Sequence, residues 1–285
     1  MIGVPVLWLL VFFLVPFGVV AAISFSEAII ARPPFAPIAE WADGRLVLSL
    51  NFDNYRYLWD DPLYVNAYLF SIRTALISAT AALLIGYPMA YFIARSPEPR
   101  RTMLLMLVVL PFWTSFLLRV YAWQGFLRSN GVINNFLMSV GVIDTPILML
   151  QTNFAVYVGI VYTYLPFMIL PLYANLVKLD ADLLEASADL GGRPWATFLY
   201  VTLPLSFPGI VAGFMLVFIP AIGEFVIPEL LGGPDTLMIG RILWNEFFSN
   251  RDWPVASAVA IAMLIAVVVP IMILRSLGQR LQEDR

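Results

Sequence analysis

Cysteine and histidine are both absent from the 285 residues, and only 12% of the residues are charged. Without cysteine the chain forms no disulfide and offers no thiol nucleophile, and without histidine it lacks the imidazole of most zinc sites and many general bases. Haem and iron–sulfur centres lose their usual ligands too. The formal net charge of −3 is too small to indicate nucleic acid as a partner. The composition therefore predicts neither a metal site nor redox chemistry.

Hydrophobic residues make up 61% of the sequence, and the mean hydropathy is +0.87. A soluble domain is about half apolar and about a quarter charged, so this composition predicts an integral membrane protein. A helix needs about 20 apolar residues to cross the hydrocarbon core. That window predicts one all-α transmembrane domain over residues 1–285, with six spans near residues 4–24, 71–94, 103–123, 154–176, 209–230 and 255–274.

Proline occurs inside every predicted span. These prolines include Pro16, Pro88, Pro111, Pro166, Pro171, Pro220 and Pro270. Ordinary kinks of membrane helices explain them, and hinges for gating are the alternative. The first span is interpreted as retained rather than as a signal peptide, because its apolar run is long and no basic segment precedes it. The start at MIGVPV leads us to expect a natural cytoplasmic tail ahead of this sequence.

Basic residues predict the orientation, because short cytoplasmic loops carry an excess of lysine and arginine. Arg95, Arg100 and Arg101 follow the second span, and Lys178 and Arg193 follow the fourth. The C-terminal tail is basic as well, and the opposite face is richer in acids. We therefore expect both termini and the loop at residues 178–205 to be cytoplasmic.

The segment EASADLGGRPWATFLYVTLPL, residues 185–205, is unusually polar for this chain. Asp182 with Glu185 three positions later predicts a capped helix that ends at Gly191, and Pro194 suits the first turn of a second helix. Asp182, Glu185 and Asp189 share one face. Such an acidic, rigid hairpin is suited to a partner's cleft. The alternative, a helix lying on lipid headgroups, is disfavoured because the inner leaflet is itself negative.

The same segment resembles the pattern E-A-A-x3-G-x9-I-x-L-P of the permeases of ABC importers. The matching residues are Glu185, Ala186, Gly191, Leu203 and Pro204, whereas Ser187 and Val201 depart conservatively. In that family the segment is the coupling helix, seated in a groove of the ATPase subunit. The resemblance implies the six-helix, MetI-like fold of type I importer permeases. It also implies an ATPase-coupling role for Glu185, Ala186, Ser187, Asp189, Gly191, Leu203 and Pro204.

Further segments are similar to permease subunits of bacterial polyamine importers, most of all the putrescine type. They include LPFWTSFLLRVYAW, NGVINNFL, FIPAIGEFVIPELLGGPDTLMIGRILWNEFF and NRDWPVASAVAIAML. The resemblance implies three kinds of partner: a second permease subunit, a dimer of ATPase subunits and a periplasmic polyamine-binding protein. This chain has no G-x-x-x-x-G-K-[ST] motif. We therefore expect no cofactor in it, with ATP and Mg²⁺ held by the partner ATPases.

A path for a small dication needs carboxylates for the ammonium ends and aromatic faces beside the carbon stem. The candidate residues are Glu224, Glu229, Trp113, Tyr121 and Trp123. Carboxylates at membrane depth usually face a bundle interior or water. The aromatic residues could equally be interfacial anchors, and Glu229 could be a loop charge or a docking contact.

Two further interpretations of Glu224 remain open at the level of sequence. It could pair with Arg119 or Arg73 to hold the bundle together, or it could contact the docked binding protein.

Rival functions are weaker. A stand-alone secondary carrier would need internal ion sites and usually repeats, and a membrane hydrolase would need a nucleophile with a positioned base. The more serious alternative is the same machinery with another cationic cargo, such as spermidine or an opine-like amine.

Overall fold

Helices account for most of the chain in the computed structural model, which describes residues 3–42 and 45–283. In chain order they are α1 (Gly3–Ile23), α2 (Asp53–Asp60), α3 (Pro62–Arg95), α4 (Arg100–Trp113), α5 (Phe116–Leu127), α6 (Val132–Ser139), α7 (Asn153–Leu176), α8 (Ala181–Asp189), α9 (Pro194–Leu205), α10 (Phe207–Ile222), α11 (Val226–Leu231), α12 (Ile239–Trp244) and α13 (Trp253–Glu283). A short hairpin of β1 (Ala39–Ala42) and β2 (Arg45–Leu48) pairs antiparallel, with Ala39 opposite Leu48. The predicted all-α class is confirmed.

Several of these helices have the length and composition of membrane spans. Among the described residues, α1, α3 and α7 are each long and apolar enough to cross a bilayer. Two bent pairs, α4 with the helices after it and α9 with α10, raise the number to five if each pair counts as one span. The apolar part of α13, Trp253–Val269, is shorter. The arrangement is consistent with the six predicted spans.

The third predicted span, residues 103–123, bends sharply near its proline. Residues Leu110–Trp113 tighten into a 3₁₀ turn around Pro111, and Thr114 and Ser115 are extended before α5 begins. The helices on either side of this break differ in direction by 91°. Pro111 lacks a backbone N–H and so removes one hydrogen bond from the α-helical ladder beside this bend.

The fifth predicted span, residues 209–230, is also interrupted. Helix α10 ends at Ile222 and α11 begins only at Val226, so Gly223, Glu224 and Phe225 lie in a non-helical break. By contrast, α7 runs on through Pro166 and Pro171. Proline alone therefore does not decide where these helices break.

The chain divides into two compact units, and one of them combines the described residues up to Phe70 with those from Leu237 onward. In it α13 packs on α1 and α2. The Tyr68 hydroxyl donates to the Val259 carbonyl at 2.7 Å, and the Asn54 amide donates to the Ser24 and Ser26 carbonyls. Hydrogen bonds of this kind satisfy backbone carbonyls that helix ends leave open.

The other unit, Ser71–Thr236, contains both candidate sites. Its core lies where α7 packs along α10, with Met168, Ile169, Leu172 and Val217 buried. A methyl group on Gly213 would come within 2.9 Å of the Met168 carbonyl oxygen. The absence of a side chain at Gly213 therefore allows the two backbones to approach closely, as small residues do in membrane bundles.

Candidate functional site

The loop at residues 178–205, which the sequence predicts to be cytoplasmic and to couple to an ATPase, forms two short helices, α8 and α9. The cap of α8 is Asp180, whose carboxylate accepts a hydrogen bond from the Asp182 backbone N–H at 3.1 Å. The prediction that Asp182 caps this helix is therefore wrong by two residues. Asp180 has the extended backbone that a cap requires (φ −63°, ψ 131°), whereas Asp182 lies inside the first turn.

The turn between α8 and α9 follows the prediction from the glycines. Gly191 has a left-handed backbone with φ +80°, and Pro194 is the first residue of α9. A methyl group on Gly192 would lie 2.6 Å from the Ser187 carbonyl oxygen. The Ser187 and Thr197 hydroxyls lie 2.8 Å apart and join the two helices. The segment is therefore a tight hairpin with little freedom at its turn.

The outward surface of this hairpin is both acidic and apolar. Glu185, Ala186 and Asp189 are exposed, while Leu190 and Trp195 are 90% and 70% exposed. Exposed large side chains beside unneutralised carboxylates are typical of a surface that another protein covers. Of the remaining predicted coupling residues, Ser187 and Leu203 are half-buried and Pro204 is exposed.

An aromatic cluster, which the sequence did not indicate, connects the hairpin to α3. The Trp195 ring stacks on Phe198 at 5.7 Å, and Phe198 meets Tyr87 and Tyr91 edge-on at 5.7 and 6.2 Å. The Tyr87 hydroxyl lies 2.8 Å from the Ser206 hydroxyl. The base of the hairpin therefore packs against α3. Tyr87 and Tyr91 are four residues apart and so lie on one face of the helix, and this spacing is the sequence signal that could have indicated the cluster.

Glu224 occupies the break between α10 and α11 and is only 8% exposed. Its carboxylate accepts a hydrogen bond from the Tyr164 hydroxyl at 2.5 Å. The other carboxylate oxygen accepts from the backbone N–H groups of Val226 and Ile227, at 3.1 and 3.4 Å. These are the open donors at the start of α11, so Glu224 also caps that helix. A buried anion is stabilised in this way by donors from two elements.

The predicted pairing of Glu224 with Arg119 or Arg73 is wrong. In the described parts of the chain the carboxylate of Glu224 makes no ion pair. The Arg119 guanidinium lies instead over the rings of Phe112 and Phe116, at 5.4 and 5.9 Å. Arg73 is exposed on α3. The sequence could not show that Tyr164, on a different helix, takes the place of the arginine.

The aromatic candidates for the path are dispersed. Trp123 is half-buried, meets Tyr162 edge-on at 5.5 Å and lines a cavity of about 300 Å³ beside Arg119. Trp113 and Tyr121 are 83% and 52% exposed, and Glu229 is exposed on α11. Of these candidates, Trp123 lines the cavity described here, and the helix that carries Glu229 packs on the helix that carries Tyr121 and Trp123. Across residues 3–42 and 45–283, no group of three acidic side chains is placed to hold a metal ion.

Comparison with known proteins identifies the family. Binding-protein-dependent transport system inner membrane components match residues 1–283. The spermidine/putrescine transport system permease protein PotB of Escherichia coli (strain K12) is 45% identical over 223 residues, covering 78% of this chain and 80% of the relative. Its namesake from Haemophilus influenzae is 39% identical over 266 residues, covering 93% and 88%.

Solved structures show the fold. A bacterial alginate ABC transporter in complex with an alginate pentasaccharide-bound periplasmic protein aligns with a TM-score of 0.70 at 19% identity, covering 99% of this chain and 93% of that one. The inward-facing MetNI methionine ABC transporter aligns with a TM-score of 0.58 at 17% identity, covering 80% and 97%. The resemblance noted from the sequence is confirmed: the chain has the MetI-like permease fold and belongs to the family of binding-protein-dependent transport system inner membrane components.

Proposed function

We propose that this chain is one transmembrane subunit of an ATP-driven importer that carries a polyamine, putrescine by preference, into the cytoplasm. The names of the relatives, spermidine/putrescine permeases at 39–45% identity, support the class of cargo. The chain forms a single permease domain and half of the translocation path. Its companions are a second permease, two ATPase subunits that hold ATP and Mg²⁺, and a periplasmic polyamine-binding protein. Both termini lie in the cytoplasm.

The observation that carries the proposal is the buried carboxylate of Glu224. It lies at a break in a span, the place where transporters often bind their cargo. It has three hydrogen-bond donors but no cation among the described residues. A carboxylate at membrane depth is costly unless it faces a cavity or meets a positive charge. An ammonium group of a passing diamine supplies that charge for part of the cycle. The second permease forms the other side of the path in this proposal, and the path is then lined further by Trp113, Tyr121, Trp123 and Glu229.

The exposed hairpin of α8 and α9 is the coupling element in this proposal. Glu185, Ala186, Ser187, Asp189 and Gly191 form the part that enters the ATPase groove, and Leu203 and Pro204 start the return to the membrane. Closure of the ATPases on ATP moves the hairpin. Because Trp195 is stacked through Phe198 on Tyr87 and Tyr91 of α3, the movement reaches a span directly. In this proposal the nucleotide binds to the ATPase subunits and not to this chain.

A second candidate cargo is spermidine or another cationic amine. The relatives are named for both spermidine and putrescine. One buried carboxylate also recognises an ammonium group without selecting the length of the amine's carbon stem.

The experiment is ATP hydrolysis by the reconstituted complex of two permeases, two ATPases and the binding protein. The binding protein is loaded with putrescine, with spermidine or with nothing. Stimulation by the putrescine-loaded form alone is the expected result. Equal stimulation by both polyamines would widen the cargo, and no stimulation despite verified assembly and loading would overturn the proposal.

A further inference from the structure

Arg119, on α5, carries a positive charge that the described chain does not neutralise. Its Nε and Nη1 atoms are buried and have no hydrogen-bond partner, and no carboxylate of the described residues forms an ion pair with it. Buried guanidinium donors without acceptors are costly, and more so at membrane depth. The site therefore requires an acceptor that residues 3–42 and 45–283 do not supply.

The guanidinium of Arg119 is held in a fixed place by aromatic rings. It lies over Phe112 at 5.4 Å and over Phe116 at 5.9 Å, on the two sides of the break between α4 and α5. A guanidinium stacked in this way presents its planar set of donors in one orientation, and that set matches the two oxygens of a carboxylate. The geometry is thus arranged for an anion before the anion arrives.

The surface around Arg119 has room for an incoming side chain. A cavity of about 300 Å³ opens beside it, with Thr114, Leu118, Trp123 and Tyr162 in its lining. Leu118 in this lining is 67% exposed, and Trp113, the residue before Thr114 in the chain, is 83% exposed. An apolar rim around one fixed charge is the usual anatomy of a contact between proteins.

We propose that Arg119 forms an ion pair with a carboxylate on a membrane helix of the companion permease, which packs over the rim of this cavity. The inference rests on the proposed two-permease importer. A cationic cargo cannot neutralise Arg119, and the carboxylate of Glu224, which accepts hydrogen bonds from Tyr164, Val226 and Ile227, forms no ion pair with it. The anion therefore comes from outside the chain.

A lipid phosphate is the other source of negative charge, and the length of α4 argues against it. From Arg100 to Trp113 the helix rises about 20 Å, whereas the hydrocarbon core is about 30 Å thick. The 91° bend then carries α5 sideways rather than onward to the headgroups. With Arg100 at the inner headgroups, as in the proposed orientation, Arg119 lies below the level of the outer phosphates, where a carboxylate from a neighbouring helix reaches it more easily.

Co-purification of the companion permease tests the proposal. The chain is tagged, expressed with all its partners and extracted in detergent, and the recovered ratio of companion to chain is measured. Arg119→Met should lower the ratio by about tenfold or more. Arg119→Lys, which keeps the charge, should recover much of it. Arg128→Met removes an exposed arginine just beyond α5 and should change nothing. Unchanged recovery with Arg119→Met would overturn the proposal.

A second measurement does not depend on how Arg119 variants fold. A photo-crosslinking amino acid at Leu118, on the rim of the cavity, should join the chain to the companion permease in intact membranes. Crosslinks to lipid alone would show that headgroups cover Arg119 and would overturn the proposal. If the unmodified chain retains no companion permease at all, the proposed function itself fails, which is a different result.

Discussion

Two groups of carboxylates in the unit Ser71–Thr236 have opposite surroundings. Glu185 and Asp189 lie exposed on α8, whereas Glu224 is 8% exposed and accepts hydrogen bonds from Tyr164, Val226 and Ile227. An exposed carboxylate is stabilised by water and is free to meet a partner. A buried one needs donors from its own chain. The difference in burial, and not the residue type, is what supports the proposed docking role of Glu185 and Asp189 and the proposed path role of Glu224.

The largest effect is expected from reversing an exposed charge. Glu185→Lys should lower ATP hydrolysis stimulated by the loaded binding protein by about tenfold or more, because a lysine meets the ATPase groove with the wrong charge. The chain should still reach the membrane, since Glu185 is exposed and supports no core contact. Asp144→Lys, an exposed acid in the loop before α7, is the control. Stimulated hydrolysis that survives Glu185→Lys would contradict the docking role of α8.

The buried carboxylate is expected to affect transport rather than docking. Glu224→Gln keeps the size and the acceptor oxygen but removes the charge, so uptake of labelled putrescine should fall by about tenfold. Assembly with the companion subunits should be unchanged. Loss of the assembled complex would instead assign Glu224 to holding the bundle together.

Removing the Tyr164 hydroxyl tests how much its hydrogen bond to Glu224 contributes to the stability of the protein, without changing the residue at 224. Tyr164→Phe keeps the carboxyl group of Glu224 but removes the hydroxyl that donates to it, which should lower the stability of the purified protein by about 1–3 kcal/mol. Thermal unfolding in detergent measures this change. Tyr200→Phe removes a hydroxyl from a side chain that is 80% exposed and serves as the control. Equal stability of the two variants would show that the bond between Tyr164 and Glu224 contributes nothing.

The close approach of α7 and α10 should also be sensitive to one methyl group. Gly213→Ala places it 2.9 Å from the Met168 carbonyl oxygen, and backbone cannot give way as a flexible side chain can. The expected destabilisation is about 1–3 kcal/mol. Gly125→Ala, on α5, meets nothing within 4 Å and should be neutral or slightly stabilising. Similar unfolding temperatures for both variants would contradict the packing described for α7 and α10.

The smallest effect is expected at Ser187, where the importer pattern has alanine. Ser187→Ala removes the bond to the Thr197 hydroxyl at 2.8 Å and should cost about 0.5–1.5 kcal/mol at most. Stimulated ATP hydrolysis should remain near that of the unchanged protein. A loss as large as that of Glu185→Lys would show that the hairpin depends on this bond more than on its glycines.

The amino-acid sequence alone determined the class of protein and the form of the coupling loop. Hydrophobic runs of span length leave few alternatives to a helical membrane protein, because backbone groups in lipid must be satisfied within the segment. The left-handed Gly191 and the helix start at Pro194 follow from the local chemistry of those residues. Local signals of this kind act over a few residues and can be read without the fold. The starting residue of α8 was misplaced by two positions, since two aspartates compete for one cap.

Only the tertiary structure decided the surroundings of Glu224 and Arg119. Tyr164 is 60 residues from Glu224 in sequence, and an arginine was an equally reasonable partner by charge. The breaks at Pro111 and at Gly223 also depended on packing, since α7 runs through two prolines without a break. A hydrogen bond or a helix break inside a bundle is set by which helices lie side by side. That arrangement comes from packing over the whole unit, and no local pattern encodes it.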